Sequence, residues 1–182
     1  MEYVEALKDR KFIRDIKEYL KNYSLRDYLF FVMGINMGVR LSELLHVKVE
    51  DVTLDGKVND YYQLENGHFI YMNKHVKQAI ADYLDKRTLE PEDYLFKSQK
   101  CSSPITRQQA YRIINKAAKE VGVPGKVGTH TLRKTFGYHA YRSGVAVALL
   151  QKHFNHTSPS ETLRYLGIDK HEKLSVRIDV NL

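Results

Sequence analysis

The sequence predicts a mainly α-helical fold with one small antiparallel β-sheet, an α+β domain. Apolar residues recur at helical spacing through most of the chain, and one Asn-Gly turn separates two aromatic-rich runs. A hydrophobic share of 43% in 182 residues suffices for one buried core. No internal repeat, low-complexity tract or Pro/Gly/Ser linker marks a boundary. Residues 1–168 therefore read as a single domain with a short helical lead, and 169–182 as a tail.

The opening third reads as helices. In FIRDIKEYLK the apolar positions 12, 13, 16, 19 and 20 share one helical face. SLRDYLFFVMGIN starts at Ser24, a good N-cap, with Asp27 three positions on, and Gly38 ends it. RLSELLHVKVEDV then begins a short new helix. VNDYYQLENGHFIYMN is the one β-like region, with its turn around Glu65-Asn66-Gly67. After Lys74 the chain reads as mostly helix. In TRQQAYRIINKAAKEVG, Ala110, Ile114, Ala117 and Val121 form an apolar face, while Arg112, Lys116 and Lys119 form a basic one. SGVAVALLQKHFNH is an apolar helix after Gly144. TSPSETLRYLGI restarts with Ser158 as N-cap, Pro159 at the first helical position and Glu161 completing a capping box, and Gly167 closes it.

Charge narrows the partner. Residues 1–96 hold 14 Lys/Arg against 17 Asp/Glu, whereas residues 97–182 hold 15 against 5, a balance of +10. A basic second half suits a polyanion such as nucleic acid, although a solvated basic face has the same composition. No apolar run approaches membrane-spanning length, and the charged amino end is unlike a signal peptide. Cys101 is the single cysteine, so an internal disulfide is excluded and a reducing cytoplasm is expected.

Five residues stand at element boundaries: Arg40, His130, Arg133, His156 and Tyr165. Two arginines can grip one phosphate through forked hydrogen bonds that lysine cannot reproduce. Histidines exchange protons near neutral pH. A tyrosine hydroxyl, with a pKa near about 10, becomes a nucleophile only where cations and a base favour the phenolate. Together the five match phosphoryl transfer to a protein hydroxyl without metal or other cofactor. Singly, each has a plainer reading as a cap, a loop residue or a core aromatic.

Their joint spacing resembles the tyrosine recombinases, or phage integrases. The matching pieces are MGVRLSELLHVKVEDV, with the first arginine before a short helix; THTLRKTFGYHAY, an H-x-x-R motif; and LLQKHFNHTSPSETLRYLG. In the last, histidine follows the second arginine by 23 residues and tyrosine follows nine later. The match runs from about residue 24 to 168. The resemblance implies a DNA breaking-rejoining catalytic fold in which Arg40 and Arg133 hold the scissile phosphate. His130 would assist proton movement at the tyrosine, and His156 would donate to a non-bridging oxygen. Tyr165 would attack the phosphodiester to leave a 3′-phosphotyrosine and a free 5′-hydroxyl, and Glu43 would orient Arg40. The implied partners are double-stranded DNA and further copies of the chain, a tetramer on two duplexes. Neighbours in such a tetramer hand over C-terminal segments, here DKHEKLSVRIDVNL. Arg107, Arg112, Lys116 and Lys134 are the expected DNA contacts, and no membrane or cofactor is implied.

The resemblance also implies a hairpin lysine that protonates the leaving 5′-oxygen. Gln63 and Leu64 stand where it is expected, and Lys57 and Lys74 at the hairpin's ends are the substitutes. Lys134 occupies a position often taken by histidine. A separate N-terminal core-DNA-binding domain is not seen ahead of the catalytic pattern, so the chain reads as a catalytic-domain fragment or a minimal member. Three other readings stay open: a type IB topoisomerase-like nicking-closing enzyme, a DNA-binding relative without catalysis, and a metal hydrolase built on His153, His156 and His130.

Overall fold

Two helices follow a short non-helical lead in the described part of the chain, which spans residues 4–168 in this computed structural model. The expected exchanged segment, with Leu174, Val176, Ile178 and Val180, lies outside the described residues. Helix α1, Arg10–Tyr23, is capped by Asp9, whose carboxylate accepts the Lys11 N–H at 2.7 Å. Helix α2, Leu25–Met37, is capped by Ser24 as expected, its Oγ accepting the Asp27 N–H at 3.3 Å. LFFVM in α2 has no polar face, and a helix of that kind must be enclosed. Leu29, Phe30, Phe31, Val32, Met33 and Met37 are all 0% exposed, so α2 is the axis of the core.

The chain leaves α2 through Gly38 and forms two short helices, α3, Leu41–Leu45, and α4, Val49–Val52. Where one short helix was expected, a turn at His46 divides it, and Lys48 instead bridges to Tyr94. Two hairpins follow, β1 (Thr53–Leu54) with β2 (Lys57–Val58), and β3 (Tyr61–Gln63) with β4 (Phe69–Tyr71). The second is the expected one, with Gln63 opposite Phe69 and a turn closed by Leu64 N–H to His68 O at 2.8 Å. The first was missed, although its Asp55-Gly56 pair, both at positive φ, is a strong two-residue turn signal.

Helix α5, Lys74–Asp85, and helix α6, Arg107–Glu120, follow the predicted periodicity. Between them residues 86–106 form no helix, although the chain after Lys74 is mostly helical as expected. Pro91 and Pro104 cannot donate to a helix, and the Ser-rich run between them favours local turns. The segment is instead tied down by isolated bridges, Lys48 to Tyr94 and Lys97 to Pro104.

Three helices end the described chain: α7, Thr129–Arg142; α8, Val147–Phe154; and α9, Pro159–Leu166. Ser158 Oγ accepts the Glu161 N–H at 3.1 Å as expected, but the Glu161 carboxylate reaches past Ser158 to the Thr157 N–H at 2.7 Å. Helix α7 belongs to two apolar clusters. Leu132 joins the main core, while Phe136 and Tyr138 pack against a smaller cluster of Leu150, Phe154, Leu166 and Ile168. An extended strap ahead of α1 replaces part of the expected helical lead. It crosses α7, with the Leu7 N–H on Thr135 Oγ1 at 2.9 Å and the Leu7 carbonyl 2.8 Å from His139 Nε2.

Gly137 lets the smaller cluster dock. A Cβ there would stand 2.5 Å from Leu166 Cδ2 and 2.6 Å from Phe154 Cζ. In a helix with room around it, Gly→Ala stabilises by about 1 kcal/mol. At Gly137 the sign reverses, because the added carbon overpacks the seam at a cost of about 1–3 kcal/mol. Gly137→Ala is therefore expected to lower the urea midpoint, and a raised midpoint would show that the seam yields.

Candidate active site

The seam between the two clusters brings the five boundary residues together. Arg40, His130, Arg133, His156 and Tyr165 all line one cleft of about 650 Å³, with Arg107, Tyr111 and Glu161 on its walls. A second cleft of about 520 Å³ adjoins it and is lined by the β3–β4 turn, Glu43, Lys152 and His153. Arg40, Arg133, Phe154 and Asn155 line both, so the two arginines stand at the shared border.

Arg133 sits one turn into α7. One guanidinium N–H donates to the Phe154 carbonyl at 3.0 Å, and its central carbon lies 4.9 Å over the Phe154 ring. This spends one of five donors and leaves the rest of the fork available. Burial pulls its pKa below the usual arginine value, and Arg40 adds to that pull against Tyr165 and Glu43. Among the described residues neither Arg40 nor Arg133 makes a salt bridge.

Arg40 is placed by its backbone. Gly38, at φ 63°, turns the chain out of α2, and a Cβ there would overlap Phe136 and lie 2.8 Å from His153 Nε2. Glu43 Oε2 accepts the Arg40 N–H at 2.9 Å. Glu43 thus acts on Arg40 through the main chain at the start of α3, with its charge also favouring the cationic form of Arg133.

Tyr165 stands on the last turn of α9 against His156, with ring centroids 5.0 Å apart, and against Phe154 at 5.5 Å. Burial raises its phenol above the usual value, and Arg133 opposes that rise. His156 Nδ1 lies 3.0 Å from Thr162 Oγ1, which in turn donates to the Ser158 carbonyl at 3.3 Å. That chain of donors makes Nδ1 the protonated nitrogen and leaves the lone pair of the neutral ring on Nε2. Asn155, in the left-handed conformation at φ 57°, turns the chain from α8 into His156.

The expected DNA contacts divide. Arg107 lines the cleft and, with Lys134 and Arg133, adds to the burial that lowers the His130 pKa. Arg112 and Lys116 are exposed on α6, opposite its buried face of Ala110, Ile114 and Ala117. Lys134 is a correction. It is 7% exposed, its Nζ donates to the Val4 carbonyl at 2.9 Å, and it lies 5.1 Å over the Tyr165 ring. Its position on α7 faces the strap and the tyrosine. Lys57, in β2, and Lys74, opening α5, line neither cleft. His68, Lys152 and Asn155 were missed, because nothing in their sequence spacing marks the border of a cleft.

The metal reading also fails. No group of three or more His, Cys, Asp or Glu residues among those described could hold a metal ion. His153 is occupied otherwise: its ring stacks 4.9 Å from Phe136 and hydrogen-bonds the backbone of Gly38 and Met37.

These features meet the comparisons with known proteins. The chain matches the phage integrase family over residues 9–172. It belongs to that family. This integrase-family chain is 40% identical over 171 residues to the probable integrase/recombinase YoeC of Bacillus subtilis, covering 93% of both. It is 28% identical over 186 residues to a tyrosine recombinase of Pseudothermotoga lettingae, spanning 93% of this chain and 63% of that protein. Among solved structures, XerA recombinase superposes with a TM-score of 0.75 at 24% identity, over 93% of this chain and 61% of that one. XerH recombinase, in a post-cleavage complex with its difH substrate, superposes at 0.72 and 23%, over 91% of this chain and 49% of that one. At these identities the structural likeness is one of fold, and it bears out the expected recombinase catalytic-domain architecture. No helix among the described residues is long and apolar enough to cross a membrane.

The imidazoles of His130, His153 and His156 all lie below the usual value, with burial the largest cause in each. A histidine lowered by folding binds its proton more readily when unfolded. Its contribution is therefore complete above the unfolded value of about 6.5 and is lost as pH falls below it and through the lower folded value. Thermal melts of the chain are expected to show Tm falling between pH 7.5 and 5.5, with a shallower fall in His153→Leu. Equal slopes for the two proteins would remove His153 from this account.

Proposed function

We propose that this chain is a site-specific recombinase that cuts and rejoins double-stranded DNA through Tyr165. The observation that carries the reading is the convergence of Tyr165, His130 and His156 on the cleft bordered by Arg40 and Arg133. A phosphodiester seated between the two guanidiniums meets charge complementarity on both sides, and the extra negative charge of the transition state strengthens it. The Tyr165 oxygen attacks phosphorus, the bond to the 5′-oxygen breaks, and the enzyme keeps the 3′-phosphate as a phosphotyrosine. His130, held neutral by burial, takes the phenol proton. His156 donates to a non-bridging oxygen from Nε2 as the imidazolium, a form that the phosphate charge favours.

The ester retains the energy of the broken bond, so a 5′-hydroxyl reverses the step with no outside energy source. Exchange between two duplexes requires four cuts, and one nucleophile per chain then requires four copies. The exposed Arg107, Arg112 and Lys116 supply phosphate contacts that set position along the duplex without reading bases. The Tn1549 transposon integrase, solved in complex with circular intermediate DNA, supports a nucleic-acid partner for this fold. Residues 1–168 serve as the catalytic unit in this reading.

The test uses duplexes that the chain selects from a randomised pool, nicked so that cleavage releases a short fragment and traps the protein. Wild type is expected to form a covalent adduct and Tyr165→Phe none, while Arg133→Lys loses about 10²–10³-fold in rate. Adduct persisting in Tyr165→Phe would overturn the nucleophile. Binding without any wild-type adduct would assign the chain to the DNA-binding relatives without catalysis.

A further inference from the structure

We propose that His68, at the end of the β3–β4 turn, is the general acid that protonates the leaving 5′-oxygen. The assignment rests on the recombinase reading and adds a residue to it. Displacement at phosphorus is in line, so the nucleophile and the leaving oxygen stand on opposite sides of the phosphate. Tyr165, His130 and His156 line only the first cleft, while Arg40 and Arg133 line both. With the phosphate held at the arginine border and attacked from the tyrosine side, the 5′-oxygen departs into the second cleft.

An alkoxide is a poor leaving group, and a positioned acid on that side contributes about 10²–10⁴-fold. The second cleft offers few candidates. Arginine does not surrender its proton. Glu43 is engaged with the Arg40 N–H at 2.9 Å. His153 is packed against Phe136 and tied to the end of α2, and burial lowers its pKa. Lys57 and Lys74 are elsewhere. His68 and Lys152 remain.

Two features favour His68. An imidazolium is by class a stronger acid than an ammonium and gives up its proton in the neutral range. Lys152 also sits in the last turn of α8, where the helix dipole favours keeping the positive charge. The turn that carries His68 is fixed on both sides, with the His68 N–H on Asn66 Oδ1 at 3.0 Å and its carbonyl accepting from the Leu64 N–H at 2.8 Å. In the step, the phenolate oxygen bonds to phosphorus and the P–O5′ electron pair stays on O5′. That oxygen takes the proton from the His68 imidazolium, giving a 5′-hydroxyl and a neutral ring. On rejoining, the neutral ring takes the proton back from the attacking hydroxyl.

The experiment compares the selected nicked duplex with the same duplex carrying a bridging 5′-sulfur at the scissile phosphate. A thiolate leaves without protonation, so the sulfur substrate bypasses the acid. His68→Gln is expected to slow adduct formation about 100-fold or more on the oxygen duplex and to approach wild type on the sulfur duplex. Lys152→Gln is expected to behave alike on both. His68→Gln slow on both, or slow on neither, would overturn the assignment, as would rescue by sulfur in Lys152→Gln alone. Wild type inert on both duplexes would instead bring down the recombinase reading, so the two failures are distinct.

Discussion

The arrangement turns on one half-buried guanidinium, Arg133, that shares the border of two clefts with the exposed Arg40. Arg133 is pulled below its usual pKa by burial and then by Arg40, and among the described residues no carboxylate forms a salt bridge to either guanidinium. The fold compensates only in part: the Phe154 carbonyl takes one N–H, the Phe154 ring lies beneath, and Glu43 contributes at longer range. A buried cation without a matching anion costs free energy. That cost is recovered when an anion occupies the border of the two clefts. Selectivity for a phosphodiester in the proposed reaction follows from this deficit as much as from any individual contact.

Keeping the pair in place needs both apolar clusters. The main core, built on α2, sets Arg40 through Gly38 and sets α7 through Leu132. The smaller cluster supplies Phe154 from α8 and Tyr165 from α9, with His156 on the turn between them. Neither alone contains a site. Gly137 decides how closely they approach, and the strap adds a tie from the other side: Lys8 Nζ reaches the Gly167 carbonyl at 3.3 Å, just beyond Tyr165. Tyr165, the proposed nucleophile, is thus fixed by contacts that span almost the whole described chain.

Which parts were readable from sequence follows from the range of the interactions involved. Caps at Ser24 and Ser158, the glycines at 38 and 167 and the Asn-Gly turn act within a few residues, so their signals lie in the local pattern. The five boundary residues were legible because their order and spacing resemble the tyrosine-recombinase pattern, even though their meeting is not local. The strap, the irregular run over 86–106 and the fate of Lys134 depend on partners up to 159 residues away. A lysine beside an H-x-x-R motif looks like a phosphate ligand until the Val4 carbonyl and the Tyr165 ring are known to hold it. Glu43 was expected to orient Arg40, and its contact there is with the backbone N–H, an atom-level detail that the sequence pattern does not carry.

The resting site also bears on how the proposed nucleophile stays unreactive without substrate. Burial raises the Tyr165 phenol, so at neutral pH the hydroxyl keeps its proton and reacts with little. His130 and His156, lowered by burial, hold lone pairs that can accept that proton, but acceptance alone would place a phenolate in a poorly solvated cleft. In the proposed reaction the arriving phosphodiester brings one negative charge against two guanidiniums, so the cluster stays net positive. Displacing water from the cleft then strengthens the attraction between Arg133 and a phenolate. The phosphate raises the cost of a second anion nearby, while the arginines and the lower dielectric reduce it. With two cations on the border the second effect prevails, and the tyrosine becomes reactive only once there is a phosphate to attack.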